Sequence, residues 1–445
     1  MAGGTFVKQN KVRAGAYINF TAANRNSTSI GVRGTVAFPA LLSWGEPNKL
    51  IKVTADDFVS GKSFEKTGLK LTDTTESAQM LREALKNSFT ALIYKINTGG
   101  TKAAAMIATD VTATARYAGT VGNLITVIVE AVGTDFKVIT VVDGIERDSQ
   151  TVADVASFKS NDWVEISEVG GTNFTATAGV PLTGGTNGSA GAYDAFRTAL
   201  NTTSKWNTVA IPATGEAAAT VTFIKNLRDN HGRYVQAVVN DAATAPDSEG
   251  IINTAGQGYI YESGERVEPN VFVVWAAGAT AGAQIDQSNT YKVVAGAVEI
   301  INPLDNDEIE TALTEGKFVL STRQDGKIVV EQDINSLISF TQDKPRDWSK
   351  NRVVRTLDDL ATQIRTTFET NYIGQRDNDK SGRTVFKSDV VNLFISAQNI
   401  GAIHDFDSTT DVIIEQGETI ESVTATIGVH PTDAMEKLYA TISLS

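Results

Sequence analysis

The feature that most restricts the fold is a change of texture in mid-chain. From about residue 101 to 186 helical periodicity nearly vanishes. Short β-rich runs at 124–129, 136–142 and 163–166 are punctuated by turn signals such as Val142-Asp143-Gly144 and Val169-Gly170-Gly171-Thr172-Asn173. A short helical stretch is expected only around 152–158. This block reads as a small β-sandwich. On both sides the pattern is different. Ile30, Val32, Val36 and Phe38 predict a strand, and Thr54-Ala55-Asp56-Asp57 has the form of a capping box opening a short helix toward Ser60. Ala78, Leu81, Leu85 and Phe89 predict a helix over 75–89, followed by a strand over 91–96. After the glycine-rich Gly184-Gly185-Thr186-Asn187-Gly188, helix signals (Tyr193, Phe196, Leu200; Val221, Ile224, Leu227) alternate with strand signals at 208–211 and 234–239, and the apolar runs 271–276 and 318–321 continue the series. Strands alternating with helices predict an α/β sheet covered on both faces. The β-rich block is then an insertion into one α/β domain.

A third region begins near 341. Thr356-Leu357-Asp358-Asp359 has the form of a second capping box, with Leu357, Leu360, Ile364 and Phe368 as its apolar stripe. Another helix is expected over 388–400, with Val391, Phe394 and Ala397 inward and Gly401 as its C′ residue. The chain ends in two alternating runs, 423–429 and 440–444, around Pro431. Residues 1–24 are polar apart from a strand-like alternation through Ala16, Ile18 and Phe20, and read as an extended arm. The domain order is therefore an arm at 1–24, α/β residues at 25–100 and 187–340, a β-sandwich at 101–186, and an α+β C-terminal domain at 341–445 with its own arm at 423–445.

Composition narrows the partners. The formal charge is −13, with 39 basic against 52 acidic side chains, so the surface repels phosphate backbones and nucleic acid is not an expected ligand. There is no polybasic stripe for anionic lipid, and no apolar run of about 18 residues that would span a bilayer. The first six residues lack a basic region followed by an apolar core, so no secretory leader is read there. The sequence contains no cysteine, which removes disulfides and thiolate metal sites and fits folding in a cytoplasm. Proteins are the expected partners.

Chemical motifs are weak. His231, His404 and His430 are the only histidines, and none lies near a Gly-x-Ser-x-Gly turn, so a nucleophile–histidine triad is not expected. Ser60-Gly61-Lys62-Ser63 imitates the end of a phosphate-binding loop, but Asp56 stands where that loop needs its first glycine; a solvated turn is expected. Gly184 to Gly191 contains no lysine and reads as a junction linker rather than a phosphate cradle. Asp377-Asn378-Asp379-Lys380-Ser381-Gly382 resembles the start of a calcium loop, yet its twelfth position is Ser388 rather than a bidentate glutamate, so a helix-connecting turn is expected. Lys344, Arg346, Lys350, Arg352 and Arg355 form a basic cluster, either a solvated face or a docking surface for an acidic partner.

Ile427-Gly428-Val429-His430-Pro431-Thr432-Asp433-Ala434-Met435-Glu436-Lys437-Leu438-Tyr439 is similar to the end of contractile tail sheath proteins, where a strand leads into Pro-x-Asp-Ala-Met-Glu-Lys-aliphatic-Tyr. Tyr372-Ile373-Gly374, Asn378, Gly382-Arg383 and Phe386 resemble the same family's C-terminal domain, and Gly4-Thr5-Phe6 with Arg13-Ala14-Gly15-Ala16-Tyr17 resembles sheath proteins of Gram-positive prophages. The resemblance implies a subtilisin-like α/β domain without a protease site and with no cofactor, and an outward-facing inserted β-sandwich. It implies terminal arms that pair with neighbouring subunits through Ala16, Ile18, Phe20, Val423, Ala425, Ile427, Val429, Ala440, Ile442 and Leu444. The implied partners are further copies in a six-start helical sheath, the tail tube (with the basic cluster as its candidate contact), and baseplate and tail terminator proteins; the particle would assemble in the host cytoplasm. An α/β hydrolase would require a histidine-paired nucleophile, a surface-layer protein an export signal, and a tail-tube protein a much smaller, mainly β chain.

Overall fold

A computed structural model describes residues 33–443 except 172 and 204, together with the backbone of two short strands, Ala2–Gly4 and Gly15–Tyr17, which pair with each other in parallel. Ile18, Phe20, Ile30, Val32 and Leu444 lie outside the described residues, and of Ala16 only the backbone is described.

The centre is a seven-stranded sheet in the order Lys317–Phe318, Ile251–Thr254, Gln236–Val239, Thr208–Ile211, Thr35–Ala40, Thr90–Lys95, Leu50–Thr54. All neighbours are parallel except the last pair. Successive residues alternate between two cores: Val36, Phe38, Ile93, Ala210, Val238 and Ile252 face one, while Ala37, Leu92, Val209, Ile211, Ala237 and Ile251 face the other. Burial on both faces is what turns strands of a parallel sheet into continuous apolar runs. Helices Tyr193–Asn201 and Ala217–Asp229 cover the second face; Glu76–Leu85 and Pro269–Gly282 cover the first. The capping box at Thr54 is present, its hydroxyl accepting from the Asp57 N–H at 3.1 Å and Asp57 accepting from the Thr54 N–H at 3.0 Å.

The run 271–276 is not a strand. It forms the first half of helix Pro269–Gly282, buried on all sides from Val271 to Ala281. An unbroken apolar run carries no period, so it fits a buried helix as well as a buried strand; Pro269 in the first turn was the sequence signal that separates them. This helix lies so close to Glu76–Leu85 that a Cβ on Gly278 would sit 2.5 Å from the Ala84 carbonyl oxygen. Gly278→Ala is therefore expected to destabilise the fold by ~1–3 kcal/mol, since overpacking outweighs the gain of about 1 kcal/mol in helix propensity. A lower urea midpoint at unchanged slope would register it.

Between Ile96 and Ser189 the chain builds two antiparallel sheets. One has four strands in the order Ile145–Val152, Asp135–Val142, Ile125–Val132, Thr177–Pro181; the other has three, Val164–Glu168, Val111–Ala115, Ala104–Ala108. Val127, Val129, Val138, Ala113, Val164 and Leu182 share the core between them. The helix expected over 152–158 is absent: Val155 and Phe158 enter this core from a turn. The outgoing and returning chain passages run side by side, with Asn97–Thr98 paired to Ser189–Ala190 and Thr101 to Thr186. The glycines here permit that approach, because a Cβ on Gly188 would lie 2.1 Å from the Thr98 carbonyl oxygen. Trp44, from the α/β body, stacks on Trp163 at 5.2 Å and joins the sandwich core.

Lys95 sits buried at this junction, donating to the carbonyls of Ala118 (2.6 Å) and Gly45 (3.3 Å). Burial pushes its ammonium down to about 8. The unfolded chain keeps that proton up to about 10.4, so between the two values unfolding takes up a proton and stability rises with pH. Measured against Lys95→Met, the native protein should gain at most ~1.4 kcal/mol per pH unit across that window. Parallel pH profiles would contradict the assignment.

The C-terminal region is built on helices Asn351–Asn371 and Lys380–Asn399 and the hairpin Val412–Gln416/Val423–Ile427, around Leu360, Phe386, Val390, Leu393, Phe394 and Ala397. Thr356 does not open a helix. Its hydroxyl lies one turn inside Asn351–Asn371 and donates to the Ile285 carbonyl at 2.9 Å. The turn 377–382 caps the second helix, Asp379 accepting from the Gly382 N–H at 2.7 Å, and Gly401 takes the left-handed conformation (φ 76°) just beyond its end.

Candidate assembly surface

The two alternating C-terminal runs have different fates. Val423–Ile427 is paired antiparallel with Val412–Gln416 of its own chain, and Val423, Ile427 and Val429 pack on the C-terminal core. The expectation of a free arm starting at 423 is corrected to this extent: 423–429 belongs to the body, because 412–416 supplies a strand partner within reach. Asn378 ties the hairpin to the helix turn, its amide donating to the Ile420 (2.7 Å) and Ser422 (2.8 Å) carbonyls.

Beyond the hairpin the chain is fastened at a few points and then released. The Thr432 N–H donates to the Ala402 carbonyl at 3.0 Å, Pro431 bridges Ile403, and the His430 ring stacks on His404 at 5.7 Å. Glu436 accepts from the Thr290 hydroxyl at 2.9 Å and forms an ion pair with Lys350. Among the described residues after it, 437–443, there is no regular structure, and the apolar side chains Leu438 (89% exposed), Tyr439 and Ile442 (93%) project into solvent; Ala440 is exposed with them. Four large exposed apolar residues within eight positions, counting Met435, are what a binding segment looks like rather than a surface at rest.

The receiving geometry lies on the same region. Among the described residues the hairpin is a two-stranded sheet, so each strand has an unpaired edge. Beside it runs a groove of about 530 Å³ lined by Phe368, Tyr372, Ile373, Phe386, Ile420 and Val423. Val423 belongs to both the hairpin and the groove, so backbone edge and apolar groove adjoin.

The basic cluster is not one surface. Arg355 is buried and bonds Asp333 at 2.7 Å; Lys344 pairs with Glu249 at 2.7 Å; Lys350 holds Glu436; Arg352 donates to the Gly401 carbonyl at 3.1 Å; Arg346 is exposed in a 3-10 turn. Helical geometry turns Arg355 inward while its sequence neighbours point elsewhere, so the reading of five residues as a shared tube-facing patch is corrected. Ser60-Gly61-Lys62-Ser63 is only partly a solvated turn: Ser63 is buried and donates to the Leu69 carbonyl at 2.8 Å. His404 contacts Asp405 at 2.9 Å, and the His231 carbonyl accepts from Arg365. Among the described residues no group of three or more histidines and carboxylates could hold a metal, and no helix is long and apolar enough to cross a membrane.

The fold is thus a sandwich inserted in an α/β body, ahead of a helical domain with a two-stranded hairpin and an exposed tail. Four family models match in succession: the tail sheath protein Gp18 domain III N-terminal region (33–96), the sheath β-sandwich domain (98–187), the sheath central domain (186–336) and the sheath C-terminal domain (343–445). The phage-like element PBSX protein XkdK of Bacillus subtilis is 35% identical over the whole of both chains. The crystal structure of a sheath tail protein from Desulfitobacterium hafniense is 37% identical, covers 96% of this chain and 99% of its own, and superposes with a TM-score of 0.79. The helical sheath of the anti-feeding prophage in its contracted state shares the fold at 12% identity, with a TM-score of 0.58 over 97% and 99% of the two chains. The chain belongs to the phage tail sheath family.

Proposed function

We propose that this protein polymerises into the contractile sheath of a phage or phage-tail-like particle by lending its terminal segments to the C-terminal hairpins of neighbouring copies. The observation that carries the reading is the pairing of a released apolar tail, 437–443, with an open-edged hairpin and an apolar groove on the same domain. Strand addition supplies backbone hydrogen bonds from the edge and specificity from alternate side chains entering a groove. About five such bonds at ~1 kcal/mol net each would hold a neighbour while the globular bodies change their packing. Donor and acceptor are different surfaces, so the contact is heterologous and propagates into a filament.

In this reading the sheath is a six-start helix around the tail tube, bounded by baseplate and terminator proteins and assembled in the host cytoplasm. The doubly covered sheet acts as a subtilisin-like body without catalysis, and the sandwich faces outward. Contraction is a switch between two packings of rigid bodies joined by tethers, with its energy held in the extended assembly. Negative-stain electron microscopy of the purified full-length chain tests this: tubules of stacked rings are expected, and a chain that stays monomeric at high concentration would refute it.

A further inference from the structure

The two edges of the central sheet carry opposite charge. One edge strand is Leu50–Thr54, next to Thr90–Lys95. Beside it lies a groove of about 620 Å³ lined by Lys49, Lys52 and Lys205, by the hydroxyl-bearing Thr90, Thr202 and Thr203, and by no carboxylate. Lys49 is paired with Glu46 at 2.6 Å on the exposed surface. Lys52 and Lys205 are exposed and belong to no ion pair among the described residues.

The other edge strand is Lys317–Phe318, and helix Asn306–Thr314 ends two residues before it. This helix and its N-cap residue present Asp305, Asp307, Glu308 and Glu310 to solvent, with no basic residue among them. The carboxylates of Asp305 and Glu308 close a capping box, each accepting from the other's N–H at 2.9 Å. Asp307 and Glu310 are exposed and enter no ion pair among the described residues. Six strand spacings separate the two edges by roughly 29 Å, far beyond side-chain reach, so one molecule cannot neutralise one patch with the other. Lysines on an edge strand also deter stray strand pairing. That guard role does not account for Lys205, which comes from the segment after helix Tyr193–Asn201, or for the acidic counterpart on the opposite edge.

We propose that the lysine groove of one copy receives the acidic helix Asn306–Thr314 of a second copy, so that neighbouring subunits meet edge to edge through their central sheets. This rests on the reading of the chain as a self-assembling subunit, and it adds a contact separate from the tail and the hairpin. The two surfaces lie on opposite edges of one sheet, so the contact is heterologous and repeats in one direction from copy to copy. Facing charges at an exposed surface contribute orientation and partner choice more than affinity. Such a contact decides which edge meets which, and it is weak enough to be exchanged when the packing changes.

Two charge-reversed variants of the full chain test it. The groove variant combines Lys52→Glu with Lys205→Glu, and the helix variant combines Asp307→Lys with Glu310→Lys. Each then carries like charge on both edges. In sedimentation, each alone is expected to need about tenfold more protein than the native chain to form tubules. An equimolar mixture should return to the native threshold, because each variant's groove now matches the other's helix; a folding defect would not be rescued by mixing. If a reversed variant does not fold, Lys52→Gln with Lys205→Gln should raise the threshold a few-fold. Native thresholds for the folded variants, or a mixture no better than its components, would overturn the proposal. Its failure is distinct from failure of the assembly reading, in which the native chain itself would form no tubules.

Discussion

Arg355→Ala should destabilise the isolated subunit by ~3–5 kcal/mol, the loss expected when one member of a buried ion pair is removed and the other stays charged. Arg355 and Asp333 have side chains 0% and 1% exposed, and besides Arg355 the Asp333 carboxylate accepts from two groups, the Asn289 N–H and the Asn351 amide at the start of the helix. Burial alone would raise the Asp333 carboxyl, but the Arg355 charge and the hydrogen bonds from Asn289 and Asn351 outweigh it and hold it below the usual carboxylate range. The sign for pH follows. A depressed carboxyl contributes stability that is present above its unfolded value of about 3.9 and is lost as pH falls toward the folded one. In Arg355→Ala that acid-side loss should shrink or reverse, since Asp333 then folds more readily protonated. Urea denaturation of both proteins at pH 7 and pH 4 reads the effect; equal midpoints at pH 7 would contradict it.

Removing residues 437–445 should abolish polymerisation while leaving the monomer's melting temperature within a few degrees, because the described residues of this segment, 437–443, are all exposed. Removing 423–445 is a different experiment. It also takes away Val423–Ile427, the hairpin partner of Val412–Gln416, and exposes the C-terminal core around Phe386 and Val390, so a failure to assemble would then report misfolding as much as a missing tether. The cut after Glu436 separates the two. Sedimentation of the truncated chain at concentrations where the full chain forms tubules is the measurement, and normal pelleting would remove the tail from the mechanism.

What was legible in the sequence was what neighbouring residues decide. The strand expected at 208–211 forms Thr208–Ile211, and the Thr54 box caps its helix, because turn and cap chemistry act over a few residues. The family was legible in the motif around Pro431. Features set by distant partners were not. The run 271–276 is buried on every side and so has no period to read. The helix start at Asn351 lacks a side-chain cap, which let Thr356, a residue facing the Ile285 carbonyl, stand in for it. The basic residues 344–355 look like one patch only until Glu249, Asp333 and Glu436, far away in sequence, claim them separately. The contacts of Glu436 with Thr290 and Lys350 left no periodic signal at all.

The central claim is that the tail of one copy lies on the hairpin of another. A chain without cysteine makes this directly measurable, since any introduced pair is the sole source of disulfides. Ala425→Cys on the hairpin is combined in turn with cysteine at 438, 440 and 442, and assembled tubules are oxidised and run on a non-reducing gel. A ladder of covalent multimers is expected at one or more of these positions, collapsing to monomer on reduction. Tubules whose subunits stay monomeric at all three, or close only intramolecular disulfides, would contradict the account.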